Sequence, residues 1–166
     1  MVKILCETAK KINPFGGSRR EEWETPQWLF DILDQEFHFT LDVCATQANT
    51  KCKRFFTREE DGLKQSWKEE ICWMNPPYHD VPIWLEKAWN ETRNKNTVVV
   101  ALLPSRTNTR WFRKYYRNVE IRLLANRIAF LDSNKIVRKA NPKPAMIFVF
   151  KLDILPKIFV WEIEGR

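Results

Sequence analysis

The sequence feature that most restricts the fold is a near-continuous apolar run over residues 97–103, which is rich in β-branched valine. Runs of this kind are typical of strands buried on both faces, because a half-exposed strand would alternate apolar and polar residues. Residues 145–151 form a second such run. Strands buried on both faces need helices on each side, so the sequence predicts an α/β fold with a mostly parallel central sheet.

The other elements can be placed around these two runs. Thr25 and Pro26 predict the start of a helix that ends near His38, with Thr25 as the N-cap and Pro26 at the first helical position. A second helix is predicted over residues 82–94. Its buried face is expected to use five apolar side chains, those of Ile83, Trp84, Leu85, Ala88 and Trp89.

We predict strands over residues 39–45, 53–57, 71–74, 119–124 and 128–131, a basic helix over 109–117, and a final edge strand or packed tail over 158–163. The strand over 39–45 is expected to be central in the sheet. The chain has 166 residues, which suits one domain rather than two. Residues 1–22 are predicted to be a flexible basic segment, and residues 23–166 the single domain.

A rigid turn, Asn75-Pro76-Pro77-Tyr78, follows the predicted strand over residues 71–74. Its two prolines fix φ at successive residues and remove two backbone donors, so the segment can continue neither a strand nor a helix. The segment Asp42-Val43-Cys44-Ala45 also lies at a predicted carboxyl end of a strand. Because ligands bind beyond the carboxyl ends of parallel strands, we expect the two segments to share one crevice.

The turn suits a site that holds an exocyclic amine for methyl transfer. Such an amine is a poor nucleophile because its lone pair is delocalised into the ring. The Asn75 side-chain oxygen and the Pro76 carbonyl could accept its two N–H bonds and favour the localised, pyramidal form. A base in a duplex must leave the stack to reach such a pocket, where the Tyr78 ring could stack on it, a contact that is worth roughly 1–3 kcal/mol. The alternative interpretation is an ordinary turn.

The chain is basic, with a formal net charge of +7, and this favours a polyanionic partner such as nucleic acid. The alternative is a merely soluble basic protein whose cations are solvated. Two groups of basic residues are the candidates for phosphate contacts, Arg106, Arg110, Arg113 and Lys114 in and before the basic helix, and Arg127, Lys135, Arg138 and Lys139 further on.

The cysteines and histidines give no sign of a metal site. The four cysteines, Cys6, Cys44, Cys52 and Cys72, match no zinc spacing, and two histidines exclude a multi-histidine site. The thiols are expected to be reduced and buried, which favours the cytoplasm. No apolar run approaches the ~20 residues that a membrane span needs, so no membrane association is expected.

From Trp23 to Phe150 the chain resembles S-adenosylmethionine-dependent DNA N6-adenine methyltransferases, most closely the small phage-encoded Dam-like family. Residues 75–78 match that superfamily's [DNS]-P-P-[YFW] motif, and Glu24-Thr25-Pro26 resembles the cofactor motif ahead of the first strand. Residues 41–45 resemble the first-strand cofactor motif, with Ala45-Thr46 where a glycine is usual. Further similarities are Asp61-Gly62-Leu63, Trp67 and Leu103-Pro104. The resemblance implies a Rossmann-like methyltransferase fold with helices on both faces and an antiparallel C-terminal strand.

The resemblance also implies roles for individual residues. Thr25 and Pro26 would bracket the methionine end of S-adenosylmethionine, and Asp42 would lie by its ammonium group. Cys44 and Ala45 would place backbone beside the methionyl moiety. The adenosine would lie near Asp61 or, as the weaker candidate, Glu59. The target adenine would be held by the catalytic motif, Asn75, Pro76, Pro77 and Tyr78.

DNA is the partner that the resemblance implies, and the location would be the bacterial host cytoplasm if the protein is phage-encoded. No stretch is long enough for a separate target-recognition domain, so specificity would come from loops or from a second subunit, or be weak. Two copies would suit a palindromic site, and a homodimer is therefore a further expectation.

Several alternatives stay open at this point. The substrate could instead be an adenine in RNA or a glutamine side chain in a protein. A different class is a catalytically silent nucleic-acid-binding module of the same fold, and a third is a small basic interaction protein without a cofactor.

Overall fold

The computed structural model describes residues 24–131 and 144–163, and the bounds of the elements are as follows. The helices are α1 (Gln27–Phe37), α2 (Val81–Glu91) and α3 (Arg110–Tyr115). The strands are β1 (Leu41–Asp42), β2 (Ile71–Met74), β3 (Val98–Pro104), β4 (Glu120–Leu124), β5 (Ala145–Lys151) and β6 (Lys157–Trp161). The predicted flexible segment over residues 1–22, together with Lys135, Arg138 and Lys139, lies outside the described residues.

The strands form one mixed sheet in the order β1-β2-β3-β5-β4-β6. β1, β2 and β3 pair in parallel, and β4 pairs in parallel with β6. β5 runs antiparallel to both of its neighbours, β3 and β4. The predicted α/β fold with a mostly parallel sheet is therefore confirmed. The antiparallel strand towards the C-terminus is β5, and the parallel strand β6 follows it. The segment predicted as an edge strand or packed tail is β6, at one edge of the sheet.

Both faces of the sheet are covered by helices. α2 and α3 bury Trp84, Leu85 and Tyr115 on one face, where Cys72 and Met74 of β2 also point. α1 buries three apolar side chains on the other face, those of Leu29, Phe30 and Leu33. The central residues of β3, residues 99–103, are fully buried and alternate between the two faces. This two-sided burial explains the continuous apolar run in the sequence.

The prediction of a central strand over residues 39–45 is wrong. β1 has only two residues and lies at the edge of the described sheet. The chain leaves the sheet after Asp42 because the side-chain oxygens of this residue accept backbone N–H groups of Cys44 and Lys51, which turn the chain away. The strand predicted over residues 53–57 is reduced to one bridge, between Asp42 and Phe55.

Three further local predictions are corrected by the structure. Pro26, not Thr25, is the N-cap of α1, and no side chain caps this helix. Ile83 is 44% exposed, because the buried face of α2 follows the spacing of Val81, Trp84, Leu85 and Ala88. The strand predicted over residues 128–131 is a single antiparallel bridge between Leu131 and Glu24. None of the described helices is long and apolar enough to cross a membrane.

One buried arginine joins three elements on the α1 face. The Arg122 guanidinium donates to both carboxylate oxygens of Glu36 at 2.5 and 2.6 Å and to Glu120 at 2.6 Å. Three aromatic rings, Phe37, Phe159 and Trp161, surround it at 5.3–6.0 Å. The side chain therefore ties α1 to β4 and β6 by paired charges and by ring contacts.

We expect Arg122→Ala to destabilise the protein by roughly 2–3 kcal/mol, because Glu36 loses the guanidinium group that it binds, while the buried Glu120 keeps Lys157 at 3.0 Å. Arg122→Lys should recover only part of this, since an ammonium group cannot form the two-pronged pair with Glu36. Urea denaturation measures both free energies of unfolding. The matched control is Arg113→Ala, an exposed change on α3 that should cost less than about 0.5 kcal/mol. Equal losses in the three variants would contradict the structural role of Arg122.

Candidate functional site

A cavity opens beyond the carboxyl ends of β1 and β2, where Asp42 and the turn over residues 75–78 meet. It brings together most of the residues that the sequence singled out. The predicted site residues in its wall are Thr25, Asp42, Cys44, Ala45, Asn75, Pro76, Pro77 and Tyr78. Pro26 and Asp61 do not line the cavity.

Asp42 is the buried acid of this cavity, with 3% of its surface exposed. Its Oδ1 accepts the backbone N–H of Cys44 at 3.4 Å, and its Oδ2 accepts that of Lys51 at 3.1 Å. Burial raises the pKa of Asp42 to about 6, although the two N–H groups and the charge of Lys51 act in the opposite direction. The carboxylate is therefore poised to take a cation from a ligand, which would lower its pKa again.

The Asn75 side chain is oriented by Thr25. Its Nδ2 donates to the Thr25 hydroxyl oxygen at 3.2 Å, across 50 residues of sequence. Thr25 is only 2% exposed, so this contact is held within packed protein. Engagement of the nitrogen fixes the plane of the amide and so orients its oxygen, which is the acceptor atom of this side chain. The threonine that was predicted to cap α1 thus supports the turn instead.

The first-strand segment reaches the cavity without a glycine. Ala45 is buried, and its N–H donates to the Phe56 carbonyl at 3.1 Å. Neither Ala45 nor Thr46 is among the described residues with positive φ. The backbone at this position therefore needs no glycine for its conformation. Cys44 lies beside it, and burial raises the pKa of its thiol well above the usual value, which keeps the sulfur neutral.

Sequence reasoning missed a buried ion pair in the cavity wall. The Lys51 ammonium group donates to Glu24 Oε1 at 2.9 Å and to Gln27 Oε1 at 3.1 Å. The side chains of Lys51 and Glu24 are only 5% and 12% exposed. The Glu24 backbone also pairs in both directions with Leu131. Glu24 belongs to the segment Glu24-Thr25-Pro26, which resembles the cofactor motif ahead of the first strand. No local sequence pattern indicated that Lys51 would be its partner.

The loop over residues 56–62 supplies another part of the wall, through Phe56, Thr57, Arg58 and Gly62. A Cβ atom at Gly62 would lie 2.1 Å from the carbonyl oxygen of Val43, so only glycine fits there. Asp61 has a positive φ of 54° and pairs with Lys64 at 2.8 Å. Its carboxylate is therefore engaged with an exposed lysine, and its predicted cofactor role stays a prediction.

Tyr78 lies in the cavity wall at the end of the turn. Within the described part of the chain, its hydroxyl is buried and has no hydrogen-bond partner. Burial raises the pKa of Tyr78 above its usual value, while the guanidinium of Arg106 acts in the opposite direction. The charge of Arg106 therefore acts on the last residue of the turn.

The basic residues that can be described are on the surface. Arg106, Arg110, Arg113, Lys114 and Arg127 are all exposed, and Lys114 approaches Glu86 at 3.7 Å. The first four follow β3 in the chain. The carboxyl end of β3 lies at the same edge of the sheet as the cavity. The other predicted phosphate contacts, Lys135, Arg138 and Lys139, lie outside the described residues.

Comparison with known proteins gives concordant results. A family model described as DNA N-6-adenine-methyltransferase (Dam) matches residues 15–160. The DNA N-6-adenine-methyltransferase of Haemophilus phage HP1 (strain HP1c1) is 37% identical over 139 residues, which cover 81% of this chain and 80% of that protein. The protein of the same name from Escherichia phage T1 is 30% identical over 126 residues, which cover 74% of this chain and 52% of that protein.

These matches confirm the resemblance that the motifs indicated. The matched region contains Thr25, Asp42 and the turn over residues 75–78, and so includes the whole cavity wall. The chain belongs to the DNA N-6-adenine-methyltransferase (Dam) family.

Proposed function

We propose that this protein transfers a methyl group from S-adenosylmethionine to the N6 amine of adenine in DNA, with the target base turned out of the duplex. The observation that carries the proposal is the contact between Thr25 and Asn75 in one cavity. It joins the segment proposed for the donor to the amide proposed for the target amine. Membership of the family supports the reaction and the DNA substrate.

The turn over residues 75–78 is proposed to orient the amine. The Asn75 oxygen and the Pro76 carbonyl would accept its two N–H bonds, while Tyr78 would stack on the base. Two acceptors on one amine favour the pyramidal nitrogen, whose lone pair can point at an electrophile. This arrangement needs no general base with a shifted pKa. The contribution of the turn is therefore orientation and electrostatic stabilisation.

The charged end of the cavity fits the amino-acid half of the donor. Asp42 is a buried carboxylate that shares the charge of Lys51 with Glu24. An ammonium group from a ligand would supply a further positive charge. When bound, S-adenosylmethionine brings an activated methyl group on a sulfonium centre. Thr25, Asp42 and the backbone of Cys44 and Ala45 would hold it beside Asn75.

The basic surface is proposed to bind DNA phosphates. The charge of Arg106 acts to lower the pKa of Tyr78, and α3, which follows the carboxyl end of β3, carries Arg110, Arg113 and Lys114. Recognition would then come from loops of a single domain over residues 23–166 or from a second copy of the chain, as a homodimer on a palindromic site. Both the domain limits and the homodimer stay predictions.

Asn75→Ala is expected to lower the methyl-transfer rate by at least about 100-fold, because it removes one acceptor that stabilises the reacting amine. Transfer of labelled methyl to DNA, RNA and protein side by side, followed by nucleoside analysis, measures the rate and identifies the product. The fold should be retained, as judged by circular dichroism and urea denaturation. Asn118→Ala, an exposed change outside the cavity wall, is the matched control. An unchanged rate in the Asn75 variant would remove the proposed mechanism.

Binding to DNA should weaken steeply with salt, because contacts to phosphates release counterions. Arg110→Gln and Arg113→Gln should each reduce the slope of log association constant against log salt concentration by about one. The control is Arg54→Gln, an exposed arginine paired with Glu70 at the opposite end of β2 from the turn. Fluorescence anisotropy with a duplex measures the slopes. The DNA role of α3 would be refuted by equal slopes in all the proteins.

Donor affinity should fall as the pH falls below about 6, since Asp42 carries its charge only above its raised pKa. Between pH 7 and pH 5 the dissociation constant of S-adenosylhomocysteine should rise about tenfold, because the fraction of ionised Asp42 decreases by about that factor. Calorimetric titration measures the change. Asp42→Asn should bind weakly and without this dependence. His79 lines the same cavity, so His79→Gln is the matched control and should keep the pH profile.

A further inference from the structure

A buried tryptophan in the cavity wall has an unused hydrogen-bond donor. Trp84 of α2 is 2% exposed and lines the cavity. Its indole Nε1 is buried and meets no acceptor within the described ranges, 24–131 and 144–163. The large majority of buried side-chain polar atoms in proteins have a partner. An N–H group without one costs free energy that a bound ligand could recover.

The neighbouring tryptophan shows the usual solution. Trp67 stacks against Trp84 with ring centroids 6.1 Å apart and an interplanar angle of 19°. It is fully buried, and its indole N–H donates to the Gly62 carbonyl at 2.9 Å. Two tryptophans thus share one environment, and the one with an internal acceptor is the one that does not line the cavity. Trp84 is therefore the tryptophan of the pair whose side chain a ligand in the cavity can contact.

The contacts of Trp84 join it to apolar residues of the cavity wall. Its stacking partner Trp67 is bonded to Gly62, and both Phe56 and Gly62 lie in the wall. The buried charges of the wall are Asp42 and the pair of Lys51 and Glu24, and the Phe56 backbone N–H donates to the Asp42 carbonyl at 2.9 Å, so Phe56 joins the apolar and the charged parts. One part therefore suits a zwitterion, and the other suits a flat, weakly polar group with acceptor atoms.

We propose that the Trp84 indole N–H donates a hydrogen bond to an acceptor atom on the adenosine half of the methyl donor. This assignment rests on the proposed function, because it takes S-adenosylmethionine as the ligand of the cavity. A purine and its ribose offer ring nitrogens and hydroxyl oxygens as acceptors, and aromatic walls suit the flat ring. Trp84 would then be a binding residue that discriminates ligands with adenosine from the amino acid alone.

The test compares Trp84→Phe with Trp67→Phe by calorimetric titration of S-adenosylhomocysteine, adenosine and L-methionine, with urea denaturation of each ligand-free protein. Trp84→Phe should lower the affinity for S-adenosylhomocysteine and for adenosine about three- to tenfold, which is the usual contribution of one neutral hydrogen bond. It should leave L-methionine within twofold. Trp67→Phe should keep all three affinities within twofold and lose more stability, because it leaves the Gly62 carbonyl without its donor.

Each other outcome has a distinct meaning. If the wild-type protein binds neither S-adenosylhomocysteine nor adenosine, the proposed function itself fails. If it binds both and Trp84→Phe binds them equally well, the assignment of Trp84 is overturned while the proposed function stands. Equal losses of ligand affinity in Trp84→Phe and Trp67→Phe would show a packing effect and would also overturn the assignment of Trp84. If Trp84→Phe weakens only DNA binding, the acceptor lies on the target base, and the assignment of Trp84 to the methyl donor is overturned.

Discussion

The interaction on which the site depends is the pairing of one buried carboxylate, that of Asp42. A buried acid is costly without partners, and here it accepts backbone N–H groups from Cys44 and Lys51. Those two bonds turn the chain out of β1 and towards the cavity. They also place the Lys51 ammonium beside Glu24, whose backbone pairs with Leu131. The hydrogen bonds of Asp42 thus position Cys44 and Lys51 in the wall of the cavity.

The cavity divides into parts of different chemistry. Asp42, Lys51 and Glu24 form a buried, charged part. Phe56, Gly62 and Trp84 form an apolar part, where the Trp84 indole N–H has no acceptor among the described residues. The turn over residues 75–78 completes the wall, and its amide is held by Thr25. A ligand with a zwitterionic end and a purine end matches this division.

The features that could be predicted from sequence are those with a local cause. The continuous apolar runs identified β3 and β5, and two successive prolines identified the turn that ends β2. The predicted position of β1 was wrong. Residues 39–45 have the pattern of a buried strand, and this pattern is the same for a central strand and for a covered edge strand. Burial there comes from the loop that follows, which bridges Phe55 to Asp42. Sequence periodicity reports burial but does not report what causes it.

The sequence by itself determined the fold class, the motif over residues 75–78 and the meeting of Asp42 with Asn75 at one edge of the sheet. Parallel strands bring their carboxyl ends together, so order along the chain was enough for this. Only the tertiary structure decided that Thr25 supports Asn75 instead of capping α1, that Lys51 pairs with Glu24, and that Trp84 keeps an unused donor where Trp67 does not. The first two contacts join residues 50 and 27 positions apart. Such contacts depend on distances in the folded chain, and no local pattern of residues encodes them.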